Sequence, residues 1–268
     1  MANFLAFVAG KGRHGHPQDL PVDKTTRADA LRFRGWWSAR VEAGHKVETA
    51  NKGFGHLAQI VGTWAKLTDT PLDNAFRGLR LEGKDVGRPP PFSRPWVEEC
   101  LLAPGAFDGL NDEARDVFLM MVDTGLRPSE ITDAPAADFV PDDPVPHFRV
   151  APNGRELKVA HTSRDIPLLG TSLEAARRIV ARGGTIRYRH KAGIWSALVN
   201  KDLANNGLKE TPAHVAYSLR HYVEDALLAA GIDDRIRADI LGHKYRRPNY
   251  GTGGGLAARE HALRKIAL

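Results

Sequence analysis

Thr124-Gly125-Leu126-Arg127-Pro128-Ser129-Glu130 (TGLRPSE) is the stretch on which the fold turns. Before it, apolar residues recur at helical spacing over about 111–123, with Asn111 placed as a cap and Val117, Phe118, Met120 and Met121 on the side to be buried. Gly125 is the residue type that ends a helix in the left-handed conformation. Pro128 fits the first turn of the next helix, where its missing N–H costs nothing. Arg127 therefore falls at a junction between two helices, a place where a guanidinium is held rigidly at a surface.

Downstream, the period changes. Segments 147–151 and 156–160 predict strands around Pro152-Asn153-Gly154-Arg155, and Asn-Gly there is a strong hairpin signal. A third strand, 165–168, follows a turn at His161-Thr162-Ser163. From 171 the pattern is helical again. One helix is expected over about 212–230, with Thr211 as cap, Pro212 in its first turn and Gly231 as its stop, and another over 234–241, capped by Asp233. The tail LAAREHALRKIAL reads as a short helix with Leu256, Leu263 and Ile266 on one side.

Upstream, 82–95 (EGKDVGRPPPFSRP) carries four prolines and charges of both signs, and reads as a linker between two domains. The first domain, 26–81, is expected to be helical. Thr26 caps a helix over about 27–43 with Trp36, Trp37 and Val41 on its apolar side and Gly44 as its stop; a second covers 47–67 and a short third 74–79. Residues 1–25 read as an irregular N-terminus, and 96–268 as the second domain with its tail helix. The fold class is thus mainly α with one small antiparallel sheet.

Composition sets bounds. Of 268 residues 42% are hydrophobic and 26% charged, ordinary values for a globular protein. No apolar run approaches the roughly 20 residues of a membrane helix, so no membrane partner is expected. Phe4 to Ala9 (FLAFVA) lacks preceding basic residues and makes a poor signal peptide. The single cysteine, Cys100, allows no internal disulfide, and a cytoplasmic location is expected. The net charge is +6, and its distribution is uneven: 14 Lys and Arg face 9 Asp and Glu through residue 90, against 24 and 23 in the remainder. A basic N-terminal third suits a phosphate backbone.

Further motifs follow TGLRPSE. Lys158 lies in LKVAHTSRDIPL, Arg220 in YSLRH, His243 in LGHK and Tyr250 in PNYGTGGG. Singly, none is specific, since a surface Arg or Lys is usually a solvated cation and a Tyr usually packing. Together and in this order they resemble the tyrosine recombinase family, which includes the phage integrases. The resemblance covers about 95–268 as the catalytic domain, and by helix pattern and position 26–81 as a core-binding domain.

That resemblance implies a two-domain recombinase architecture and a site-specific recombinase or integrase that cuts and rejoins DNA through a 3′-phosphotyrosine. Arg127, Arg220 and His243 would hold the scissile phosphate, Lys158 would serve as general acid and Tyr250 as nucleophile. Glu130 would buttress Arg127 or cap its helix, and His221 would support the site. The chemistry explains the residue types. Arginine forks suit a crowded phosphorane that carries extra negative charge, and a phosphotyrosine conserves bond energy, so ATP is not required. No metal and no cofactor are implied. The implied partners are double-stranded DNA and a homo-tetramer on paired sites, with room for accessory DNA-bending proteins, and the chain would be nucleoid-associated when bound. In this family a C-terminal segment often docks on the neighbouring protomer, which is the expectation for the tail here. Two alternatives are a DNA-binding relative that does not cleave and a type IB topoisomerase.

Two departures stand out. Tyr217 takes the place of the first His of the family's H-x-L-R-H. At three residues from Arg220 it shares a helix face and can still point into the site, whereas His214, six residues back, lies on another face. His243 and Tyr250 are seven residues apart, and Tyr245 offers a competing hydroxyl. Tyr250 is preferred because Gly251 and the run Gly253-Gly254-Gly255 give it freedom to swing.

Overall fold

The computed structural model describes residues 2–8, 10, 20–83, 87–152, 163–245 and 254–268. It divides into two compact units, Met1–Arg88 and Pro89–Leu268. No helix among the described residues is long and apolar enough to cross a membrane.

The first unit contains α1 (Ala2–Val8), α2 (Arg27–Glu42) and α3 (Val47–Leu67). Thr26 closes a capping box on α2: Asp29 N donates to Thr26 Oγ1 at 3.1 Å and Thr26 N to Asp29 Oδ2 at 3.1 Å. The core is aromatic. Phe4, Phe33, Trp37, Phe54 and Phe76 are buried, and the Phe4 ring meets those of Phe33 and Phe76 edge-on at 5.2 and 4.9 Å. This corrects the expected irregular N-terminus over its first residues. A seven-residue helix is marginal alone, and the burial of Phe4 holds α1 in place. The expected third helix, 74–79, is a run of turns instead. Its carbonyls go to side chains of α2 and α3: Arg27 Nη1 donates to Ala75 O and Arg77 O, Arg34 Nε to Leu79 O, and Asn51 Nδ2 to Leu81 O.

In the second unit, Ser93 caps α4 (Arg94–Trp96), which continues into a wider turn, Val97–Leu101. A helix thus begins inside the stretch read as linker. α5 (Asp112–Thr124), capped by Asn111, is buried on nearly all sides and packs against α7 (Gly170–Ala181). Across that pair buried Asp116 accepts from Arg178 at 2.8 Å and Arg182 at 2.5 Å. The sheet runs β1 (Phe139–Val140), β2 (His147–Val150), β3 (Arg164–Pro167), all antiparallel, with Phe148 opposite Ile166. β1 had no clear alternation to betray it. The strand expected over 156–160 lies outside the described residues. α6 (Pro128–Thr132), α8 (Ala192–Asn205), α9 (Ser218–Ala229) and α10 (Asp234–Leu241) complete the scaffold.

One further expectation is corrected. The helix expected from 212 starts only at Ser218, so Arg220 sits in a first turn and Tyr217 is the residue before the helix. Side chains take the donors a helix would use: Thr211 N donates to His214 Nδ1, Val215 N to Ser218 Oγ and Ala216 N to Asn200 Oδ1. His214 itself is buried, stacked on Phe92. Within the chain, the tail helix α11 (Gly255–Arg264) packs against β3 and α10. Ala262, Leu263 and Ile266 are buried in the core of this unit, Arg259 Nη1 donates to Asp165 O on β3, and Leu268 N donates to buried Asp123. The reason is the match of its apolar side to a surface its own chain provides.

Candidate active site

The site is built where three helix ends meet. α5 stops at Gly125 in the left-handed region, at φ 61°. A Cβ there would lie 2.9 Å from Leu241 Cδ2 and 3.1 Å from Val223, so the glycine lets the end of α5 press against α9 and α10. Two residues on, Arg127 caps α6. Its backbone N donates to Glu130 Oε2 at 2.8 Å and its Nη1 to Glu130 Oε1 at 2.9 Å. Glu130 thus does both things the sequence suggested: it caps the helix and steadies the guanidinium.

Glu130 has a second partner. Arg164, first residue of β3, donates Nη1 to Oε1 at 3.0 Å and Nη2 to Oε2 at 3.1 Å, a two-pronged pair with both side chains nearly buried. Burial pushes the Glu130 carboxyl up, but Arg164 and Arg127 outweigh it and hold the group below its ordinary value. Arg164 Nε donates to Ile240 O at 2.9 Å, and Arg220 Nη2 donates to Leu241 O. The last carbonyls of α10, the negative end of that helix, are therefore met by two cations. Gly242 follows at φ 62°, and a Cβ on it would lie 2.7 Å from Arg164 Nη1. The glycine of LGH is required by this close approach.

Arg220 is almost wholly buried. Nη1 donates to Gly125 O at 2.6 Å, and Nη2 stands 3.0 Å from His243 Nε2. Burial, with Arg127 nearby, lowers its pKa to about 10, which leaves it charged at neutral pH. His243 is held below the ordinary imidazole value by partial burial first and by Arg220 next. Tyr217 is 37% exposed, and its ring lies edge-on to that of His221 at 5.5 Å.

The fold therefore brings Arg127, Glu130, Arg220 and His243 together, with Tyr217 and His221 beside them. Lys158 and Tyr250 lie outside the described residues. Tyr245 lines an open cleft with Glu224, Arg237 and His243. Sequence reasoning missed Arg164, although it stands inside a quoted motif, next to the strand expected over 165–168. Among the described residues no group of His, Cys, Asp and Glu could hold a metal. Chemically, Arg127 and Arg220 flank one carboxylate already engaged by Arg164, which leaves a cationic pocket suited to an anion.

No family model and no curated protein matches the sequence. Solved structures do. The chain is similar to the Tn1549 transposon integrase in complex with a circular intermediate DNA, at 17% identity and a TM-score of 0.60 over 99% of this chain and 92% of that one. It is similar to the integrase of mycobacterium phage Brujita, at 18% identity and a TM-score of 0.51 over 91% and 79%. A lambda integrase tetramer bound to a Holliday junction matches at 16% identity and a TM-score of 0.58 over 85% of this chain and 64% of that one. The chain has the fold of these integrases.

Proposed function

We propose that this chain is a site-specific DNA recombinase that cleaves and rejoins strands through a covalent 3′-phosphotyrosine. The observation that supports it most is the cluster of Arg127, Arg220 and His243 at the meeting of three helix ends, braced by Glu130 and Arg164, on an integrase fold. In this reading Arg127 and Arg220 bind the non-bridging oxygens of one phosphate and favour the pentacoordinate state, where negative charge concentrates. Tyr250 Oη loses its proton and forms the bond to phosphorus; the bond to the 5′ oxygen breaks, and Lys158 gives that oxygen a proton. Rejoining is the same step run back by an incoming 5′ hydroxyl. No metal enters it.

The partners proposed are duplex DNA and further copies of the chain, as a tetramer on paired sites. A DNA surface beyond the pocket is also proposed. Arg187, Arg189 and Lys191 are exposed, and no ion pair to a described residue engages them. The backbone between them is fixed: Glu113 accepts from Arg187 N and Tyr188 N, and Asp133, which ends α6, accepts from His190 N. Cations on a fixed backbone at the far end of the helix that Arg127 begins suit the backbone on either side of a bound phosphate.

The test uses suicide DNA substrates, on which a cut strand stays attached. Wild type and Tyr245→Phe should form the covalent adduct, and Tyr250→Phe should bind DNA without forming it. Loss in the Tyr245 variant alone would overturn the assignment. The replacement of a His by Tyr217 favours, as a second reading, a relative that binds without cleaving; that reading predicts no adduct with wild type. Relaxation of plasmids lacking paired sites would point instead to a topoisomerase.

A further inference from the structure

Glu224 lies one turn after Arg220 on α9, and its Oε1 stands 3.9 Å from His243 Nδ1. The opposite ring nitrogen, Nε2, is 3.0 Å from Arg220 Nη2. These two distances determine where the ring proton sits. A guanidinium donates and never accepts, and Arg220 is charged at neutral pH. Nε2 must therefore offer its lone pair to Arg220. A neutral imidazole then carries its one proton on Nδ1, on the side of Glu224. The cationic surroundings favour that neutral state: burial, Arg220, Arg127 and Arg164 all oppose charge on the ring, and Glu224 favours it.

The consequence bears on function. With Nε2 accepting from Arg220, His243 has no donor to give a phosphate oxygen. It gains one only by taking a second proton, and the imidazolium then has Nδ1–H toward Glu224 and Nε2–H toward the pocket. An arriving phosphate promotes this change, because it draws the Arg220 donors and balances the positive charges that oppose protonation. The groups that face the ring are Arg220 and Glu224 from α9, Arg127 from the start of α6 and Arg164 from β3. Asp234 and Arg237 of α10, with Lys244 and Tyr245, line the same cleft. Arg237 is engaged by Asp234, which leaves Glu224, among the described residues, as the carboxylate at ion-pair distance from the ring.

We propose that Glu224 is a positioning residue: it holds His243 with its proton on Nδ1 in the free protein and stabilises the doubly protonated ring that binds the phosphate. The second half rests on the recombinase reading above; the first is a property of the chain alone.

The experiment has two arms. In the first, the full chain with 15N-labelled histidine is titrated by long-range nitrogen–proton correlation, and His243→Asn identifies the signal. The Nδ1–H form is expected. Glu224→Gln should lower the midpoint by about 0.7 pH unit, the shift for a charge pair near 4 Å at a wet surface. Glu224→Asp should restore part of it. A wild-type Nε2–H tautomer, or an unmoved midpoint in Glu224→Gln at unchanged melting temperature, overturns the proposal. In the second arm, single-turnover adduct formation is followed against pH. A rate that needs the imidazolium falls as pH rises through the His243 midpoint, so the alkaline limb of Glu224→Gln should move to lower pH. A shifted titration with an unmoved limb removes the role in phosphate binding. A shifted titration with no adduct even in wild type refutes the recombinase reading and leaves the tautomer assignment standing.

Discussion

The two units treat charge in opposite ways. Among the described residues, every buried polar or charged side chain lies in the unit from Pro89 onward: Asp116, Asp123, Glu130, Arg164 and Arg220 are examples. The unit up to Arg88 buries apolar and aromatic groups and leaves its cations at the surface, as Arg32 and Lys52 illustrate. Apolar burial is the cheaper way to make a stable fold, and buried ion pairs often contribute nothing net to stability. The second unit carries them all the same, and Glu130, Arg164 and Arg220 among them converge on one pocket. The comparison suggests that the first unit is built to be held together and the second to hold a set of cations in place.

The largest effect should come from breaking that set at Arg164. Arg164→Met leaves Glu130 buried with one cation lost, a change that typically costs about 3–5 kcal/mol. Denaturant unfolding measures it, and adduct formation should fall with it, since Glu130, which braces Arg127, loses its two-pronged partner. The double variant Arg164→Met with Glu130→Gln should recover much of the stability but not the activity. The pH dependence has a definite sign. Glu130 is depressed in the folded chain, so its contribution is present above the ordinary carboxylate pKa and is lost as pH falls through the folded value. Arg164→Met should therefore flatten the acid side of the stability profile. A loss below about 1 kcal/mol, the range of surface pairs, would erase the contrast between the units.

A smaller effect is expected at Tyr217, which sits at the edge of the buried set. Removing one donor in a transition state typically costs about 10²–10³ in rate. Tyr217→Phe should slow single-turnover cleavage by up to that order with an unchanged melting temperature. A wild-type rate would make Tyr217 a packing residue against His221 and confine the essential donors to those within the network.

How much of this was legible follows the same contrast. The cap at Thr26, the stop at Gly125, the cap at Asn111 and the small sheet were readable because they depend on local chemistry. So was the gathering of Arg127, Glu130, Arg220 and His243, through motif order. What escaped was tertiary. The start of α9 depends on Asn200 and Pro91, the turns at 75–78 on Arg27, and α1 on Phe33 and Phe76. The role of Arg164 needs the distant carbonyl of Ile240, and that of Glu224 needs the direction of a ring; neither leaves a trace in spacing.

The smallest effect on stability should come where the second unit departs from its own habit, at the exposed cations Arg187, Arg189 and Lys191. Their backbone is tied to Glu113 and Asp133 by main-chain donors, so replacing all three side chains with Ala leaves those bonds in place, and melting should barely change. If each neutralises one DNA phosphate, the slope of log affinity against log salt should fall by about 0.9 per residue, close to 3 for the triple variant. Adduct formation at saturating protein should be retained, because the pocket is untouched. The same measurement on a variant stripped of surface cations in the first unit, Arg32 and Lys52, sharpens the comparison. If both variants lose slope and neither loses the adduct, exposed cations in both units serve affinity, and the buried ones alone serve the chemistry. If the triple variant keeps the full slope, the segment after α7 does not meet DNA, and the second unit's contact is confined to the pocket.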